Sequence, residues 1–165
     1  MKKKYIWLTL WVLFTIFIFS RSLKPAPASA QESFGISSWI TSIVQKFINM
    51  PYDELLNLCT YIVRKGAHVA EFAIQSCLIC GFFNCSKGKM QKNISWILFL
   101  GLFTACTDEA IQLFVEGRAG MVFDVFIDFT GTIAGLALSV IFSGITTVKR
   151  KRNTKKMFDK NICCC

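Results

Sequence analysis

Residues 60–83, TYIVRKGAHVAEFAIQSCLICGFF, decide how this chain folds. The run is long enough to cross a bilayer, which takes about 20 predominantly apolar residues. Yet Arg64, Lys65, His68 and Glu71 lie inside it. A charge at the centre of a membrane helix costs about 2.5–3.5 kcal/mol on insertion scales, so such side chains face a partner or a wet cavity. At 3.6 residues per turn, Arg64, Lys65, His68, Glu71 and Gln75 fall within about one third of the helix circumference. The run therefore predicts a membrane helix with one polar stripe turned inward.

Two later runs repeat the pattern. Residues 94–115 carry Asp108, Glu109 and Gln112 on one arc, with Thr104 close by. Residues 121–142 carry Asp124 and Asp128 one turn apart, and Gly131 and Gly135 continue their stripe. A Gly-x-x-x-Gly spacing lets two membrane helices approach closely, so this face should pack inward. A first apolar run, residues 5–20, is short for a span unless Lys4 and Arg21 snorkel at its ends. The expected fold class is all-α: a polytopic membrane bundle of four transmembrane helices.

Composition agrees. Of 165 residues, 53% are hydrophobic and 16 are Phe, with mean hydropathy +0.48, values that point to a membrane protein rather than a soluble one. The formal charge of +9 raises the question of nucleic acid, but the cations flank apolar runs, as topology signals do, and no nucleic-acid partner is expected. Lys2, Lys3 and Lys4 precede the first run. Lys87, Lys89 and Lys92 separate the second from the third. Lys149, Arg150, Lys151, Arg152, Lys155, Lys156 and Lys160 follow the fourth. Together these are 13 of the 19 basic residues, all on one side of a four-span protein. The positive-inside rule makes that side cytoplasmic, with both termini inside. The intramembrane charges then all lie in the extracytoplasmic half, with Arg118 in the outer turn between the third and fourth spans.

The expected organisation is a first transmembrane helix at 1–21, an extracytoplasmic segment at 22–59, a three-helix core at 60–143 and a basic cytoplasmic tail at 144–165. Lys2–Lys4, an apolar run and Ala28-Ser29-Ala30 also resemble a signal peptide, but Arg21 and Lys24 leave a long charged gap before Ala30, which favours an uncleaved helix. Pro25-Ala26-Pro27 reads as an extended linker. Residues 36–49 then carry an apolar stripe (Ile36, Trp39, Ile40, Ile43, Val44, Phe47 and Ile48) opposite Ser37, Ser38, Thr41, Ser42, Gln45, Lys46 and Asn49. That pattern fits either an interfacial helix on the outer membrane surface or an ordinary amphipathic helix covering the bundle. Cys77, Cys80 and Cys106 sit in apolar runs, where a thiol acts as a small hydrophobe. Cys77-x-x-Cys80 has no second pair to complete a metal set. Cys163, Cys164 and Cys165 follow the basic tail without a C-a-a-X pattern.

Together, Lys65-x-x-His68-x-x-Glu71-Phe72, Asp108-Glu109-x-x-Gln112-x-Phe114, Gly117-Arg118 and Asp124-x-x-x-Asp128-x-x-Gly131-x-x-x-Gly135 resemble the VanZ-like family of bacterial integral membrane proteins. The resemblance covers residues 60–140 and a preceding helix ending in Phe19-Ser20. Glu116 stands where the family would carry Pro. The resemblance implies a bacterial plasma membrane and a role at the cell envelope. The family's namesake is associated with resistance to teicoplanin-type lipoglycopeptides.

The expected binding residues are Arg64, Lys65, His68, Glu71, Asp108, Glu109, Gln112, Arg118, Asp124 and Asp128, gathered round one outward-facing chamber. Five carboxylates inside a membrane need pairing, protonation or a bound cation. Three roles fit. An ion-paired knot could simply hold the helices together. Arg64, Lys65 and Arg118 could bind the anionic headgroup of a membrane lipid or lipid-linked cell-wall precursor, because guanidinium groups suit planar anions. His68, Glu71, Asp108 and Asp124 could instead serve catalysis on a lipid-linked phosphate or ester, with a divalent cation such as magnesium or manganese held by the histidine and carboxylates. No nucleophile motif accompanies them, so binding is preferred to catalysis and no cofactor is required. Ion-coupled transport fits least, because a path should continue through the other leaflet.

Overall fold

A computed structural model of the protein describes the backbone of residues 2–85 and 90–162, and the side chains of 2–85 and 92–143. Lys87, Lys89 and Cys163–Cys165 lie outside the described residues, as do the side chains of the tail cations from Lys149 to Lys160. Five α-helices follow one another: α1 (Lys2–Ser22), α2 (Ala26–Val44), α3 (Tyr52–Cys85), α4 (Ile94–Gln112) and α5 (Val122–Ile162). A short 3-10 turn, Met90–Asn93, leads into α4. There is no strand among the described residues.

Four helices are long and apolar enough to cross a membrane: α1, α3, α4 and the Val122–Ser143 part of α5. Their outward faces remain apolar. Leu13 and Ile16 on α1, Phe99 and Phe103 on α4, and Phe126 and Leu138 on α5 are all exposed. Such an apolar belt is costly in water and neutral against acyl chains, so the fold is an all-α membrane bundle. The interior is thin. One apolar cluster joins Ile79, Cys80, Ile97 and Leu136, and another joins Ile18, Phe72 and Ala105. Lys4 Nζ lies 5.1 Å from the Phe82 ring, which puts the start of α1 beside the end of α3.

Close approach of α5 to α3 depends on the two glycines of the α5 stripe. A Cβ at Gly131 would fall onto the Val69 carbonyl oxygen, and one at Gly135 onto the Ala73 carbonyl oxygen. Cys77 sits in the same seam and donates from Sγ to the Gly135 carbonyl at 3.4 Å. Cys77 and Cys80 are free thiols packed as small side chains, as expected of thiols in apolar runs.

The boundaries of three helices differ from expectation. Helix α3 begins at Tyr52, about two turns before the apolar run at 60, and its 34 residues make it about 51 Å long. Pro51 stands at its entry and Asp53 and Glu54 occupy its first turn, where the helix dipole favours acids. Helix α4 stops at Gln112, short of 115, because the chain turns through Gly117 at φ +72°, a left-handed conformation suited to glycine. Helix α2 begins at Ala26, where an extended linker was expected. Pro25 forms its N-cap and Pro27 lies in its first turn, where a missing N–H costs nothing. It ends at Val44, so Phe47 and Ile48 fall in the turn that follows.

The orientation of α2 bears on both of its expected roles. Ser29, Ser37 and Thr41 are its buried residues, and α2 packs against α3. Ile36, Trp39 and Ile43 of the apolar stripe are exposed, Trp39 to 66%. The side that meets the bundle carries Ser29, Ser37 and Thr41 with Ile40 and Val44 half-buried beside them, and much of the apolar stripe looks away from it. Helix α2 thus covers part of α3 and also presents apolar side chains outward, as an interfacial helix would.

Candidate functional site

The polar stripes of α3, α4 and α5 meet at one end of the bundle, the end where α1 finishes and α5 begins. Opposite chain directions make this possible: Arg64 to Glu71 lie in the middle third of α3, Asp108 to Gln112 close α4, and Asp124 and Asp128 lie in the first two turns of α5. Arg118, in the α4–α5 turn, reaches back over them.

Most of the charges have defined partners. Lys65 is ion-paired with Asp124, joining α3 to α5. Glu109 Oε2 accepts from the Met121 backbone N–H at 2.9 Å, at the N-terminal entry to α5, where donors lack helical partners. Asp108 is fully buried. Its Oδ1 accepts from Ser22 Oγ at 2.5 Å and its Oδ2 from Gln112 Nε2 at 3.0 Å. His68 Nδ1 lies 3.6 Å from Asp128 Oδ1, too long for a hydrogen bond. Gln75 lies deeper and donates to Thr15 Oγ1 at 2.9 Å and to Thr104 Oγ1 at 3.4 Å.

Two cations stand apart from this pairing. Arg118 donates from Nε to the Lys24 carbonyl at 3.1 Å, from Nη2 to the Arg21 carbonyl at 3.4 Å, and from Nη1 to Gln112 Oε1 at 3.3 Å. It thus satisfies carbonyls at the end of α1, where a cation also complements the helix dipole. None of those acceptors is a carboxylate. Burial, with Arg64 nearby, pulls the Arg118 pKa down from its ordinary value, though a guanidinium stays charged. Arg64 is half-buried and has neither an ion pair nor a hydrogen bond among the described residues.

The one chamber expected from the sequence is two adjoining cavities. The first, of about 210 Å³, is bordered by Lys65, Glu109, Gln112, Asp124 and Asp128. The second, of about 260 Å³, lies between α2 and α3 and is bordered by Arg21, Ser29, Glu32 and Glu71. Arg64, His68 and Arg118 border both. Glu71 and Asp124, expected to face each other, line different cavities. Asp108 lines neither.

Glu71 turns toward α1 because Arg21 is there: Arg21 Nε lies 3.0 Å from Glu71 Oε1. The same guanidinium reaches Glu32 of α2 at 3.2 Å, and Glu32 is also ion-paired with Lys24. The hydrogen bond from Lys24 holds the Glu32 carboxyl below its usual range. Arg21, Ser22, Lys24 and Glu32 were not among the expected site residues. A positional signal was available, since Arg21 and Ser22 end α1 at the level where Asp108 ends α4. A charge at a span boundary is so common that it passes for a snorkelling flank.

The family model for VanZ/LLP1 matches residues 5–143. The chain belongs to the VanZ/LLP1 family. The match runs from α1 through the membrane-length part of α5, so it takes in the α1 residues Arg21 and Ser22 as well as the three polar stripes. No curated protein and no solved structure matches the chain. As a member of the VanZ/LLP1 family with four membrane-length helices, the chain is a multi-pass membrane protein.

Proposed function

We propose that this protein binds the anionic headgroup of a membrane lipid or lipid-linked cell-wall precursor at the paired cavities, and that this contact modulates sensitivity to teicoplanin-type lipoglycopeptides. One observation carries the headgroup reading. Arg64 and Arg118 border both cavities, and neither guanidinium is bonded to a carboxylate. A half-buried cation without an acid partner bears a desolvation cost that a phosphate would relieve with charge-assisted bonds. The cavities lie at the end of the bundle remote from Lys2–Lys4 and Lys92, so the positive-inside rule favours an extracytoplasmic opening in a bacterial plasma membrane, with both termini cytoplasmic. The link to lipoglycopeptides rests on family membership.

Native mass spectrometry of the full chain, extracted with phosphatidylglycerol or undecaprenyl phosphate present, tests the headgroup reading. Wild-type protein should retain anionic lipid over phosphatidylcholine. Arg64→Ala should weaken retention about tenfold, which corresponds to about 1.4 kcal/mol. Equal retention by wild type, Arg64→Ala and Arg118→Ala overturns the proposal. For the physiological reading, Arg118→Ala should abolish any gain in teicoplanin tolerance at unchanged membrane levels; an undiminished gain overturns it.

A further inference from the structure

The geometry points to a hard divalent-cation site formed by His68, Asp108 and Asp128, at the edge of the cavities that Arg64 and Arg118 border. A ligand atom from each residue lies within 4.8 Å of the other two. Six-coordinate magnesium or manganese holds neighbouring ligand atoms about 3 Å apart, so the three side chains would draw together around the ion. The three residues come from three different helices, which lets each side chain approach from its own direction.

A second observation points to a ligand. Asp128 is 2% exposed, and its Oδ2 has no hydrogen-bond partner among the described residues. His68 Nδ1 is likewise unpartnered. A buried carboxylate oxygen that accepts no hydrogen bond carries a desolvation cost that a bound cation would offset. Of the nearby cations, Lys65 pairs with Asp124 and Arg118 with the Arg21 and Lys24 carbonyls and Gln112, and Arg64, though unpaired among the described residues, is not within ion-pair distance of Asp108 or Asp128. Asp108 differs from Asp128. Ser22 and Gln112 each donate to one of its oxygens, and such hydrogen-bonded support fixes the direction of a metal-ligating carboxylate while leaving lone pairs for the ion. One imidazole and two carboxylates, with an adjoining polar cavity to supply water ligands, suit manganese or magnesium better than soft, thiol-seeking metals.

Manganese alone is the probe. The full chain, purified in detergent and stripped with chelator, is titrated with Mn2+ and followed by electron paramagnetic resonance. The expected result is saturable binding of one ion per chain, with a nitrogen modulation in the electron spin echo from the His68 imidazole. Asp128→Asn and His68→Gln should each weaken binding at least about tenfold, and His68→Gln should remove the nitrogen signal. Asp53→Asn, which removes an exposed acid in the first turn of α3, should still bind Mn2+. Helical circular dichroism and a single elution peak establish that each variant is folded. If Asp128→Asn does not fold, the nitrogen signal and its loss in His68→Gln decide the matter. Absence of saturable binding, or binding with no nitrogen signal, overturns the site. No lipid is added, so either result leaves the Arg64 retention experiment unaffected.

Discussion

Ser22 Oγ donates a 2.5 Å hydrogen bond to Asp108 Oδ1, joining residues 86 apart in sequence. Ser22 is 1% exposed and Asp108 is fully buried. This bond ties the end of α1 to the polar site. Hydrogen bonds to a charged group contribute about 1.5–3 kcal/mol in soluble proteins, and polar contacts between membrane helices average less. Ser22→Ala should therefore cost about 1–2 kcal/mol in reversible unfolding by sodium dodecyl sulphate. Ser20→Ala removes only an exposed hydroxyl bonded to the Phe17 carbonyl and should leave the midpoint where it is. Equal midpoints for Ser22→Ala and wild type would show that Asp108 needs no donor from α1.

The α3–α5 seam separates two glycines that look alike in the sequence. A Cβ at Gly135 would strike the Ala73 carbonyl oxygen, a backbone atom that cannot swing aside, whereas a Cβ at Gly66 would have nothing within 4 Å. Gly135→Ala should force the helices apart and lower the unfolding midpoint. Gly66→Ala should raise it, by up to about 1 kcal/mol, because alanine is the better helix former. Measured side by side, the two should move in opposite directions.

Helix α4 is membrane-length, with Lys92 just before it and Glu116 in the turn after it, and both are exposed. In a background with every native cysteine replaced, Lys92→Cys and Glu116→Cys should react with impermeant maleimide from opposite sides of sealed cells or vesicles. Glu116→Cys should label from outside. Labelling of both from one side would remove α4 as a span. The same preparations report on the N-terminus: because Arg21 and Ser22 bind Glu71 and Asp108, the intact mass should include residues before Ala30. A mass beginning after Ala30 would mean that the mature protein lacks those contacts.

The inward stripes on α3, α4 and α5 were legible because charge inside an apolar run is costly, and helical periodicity then says which way each residue points. His68, Asp108 and Asp128 converge for that reason. Partners on α1 were not legible. Nothing local marks Ser22 as the donor to Asp108, since the pairing depends on how far α1 and α4 rise at the same end of the bundle. The division of the site into two cavities was hidden for the same cause: Glu71 sits on the His68 stripe, but Arg21 draws it to the other side. Helix α2 misled at its start. Pro25-Ala26-Pro27 suggests an extended chain, yet proline is also suited to a helix's first turn. The amphipathic stripe was visible, but not which face would be buried, because in a membrane protein apolar outside and small polar inside is as workable as the reverse.

That inverted face of α2 yields the last prediction. Ser37 and Thr41 are fully buried, while Trp39 is 66% and Phe47 83% exposed. If the apolar side rests in the outer leaflet, a nitroxide at Trp39→Cys in the cysteine-free background should collide often with oxygen, which partitions into acyl chains, and rarely with a water-soluble nickel chelate. A nitroxide at Glu32→Cys, on the charged side beside Lys24, should show the opposite preference. Ser37→Leu should uncouple α2 from α3, because the small buried face leaves no room for a branched side chain. Its effect should appear as freer motion of the Trp39→Cys label without loss of the four spans. A nickel-accessible label at Trp39→Cys would instead place this face in water, where so much exposed aromatic surface would require a protein partner.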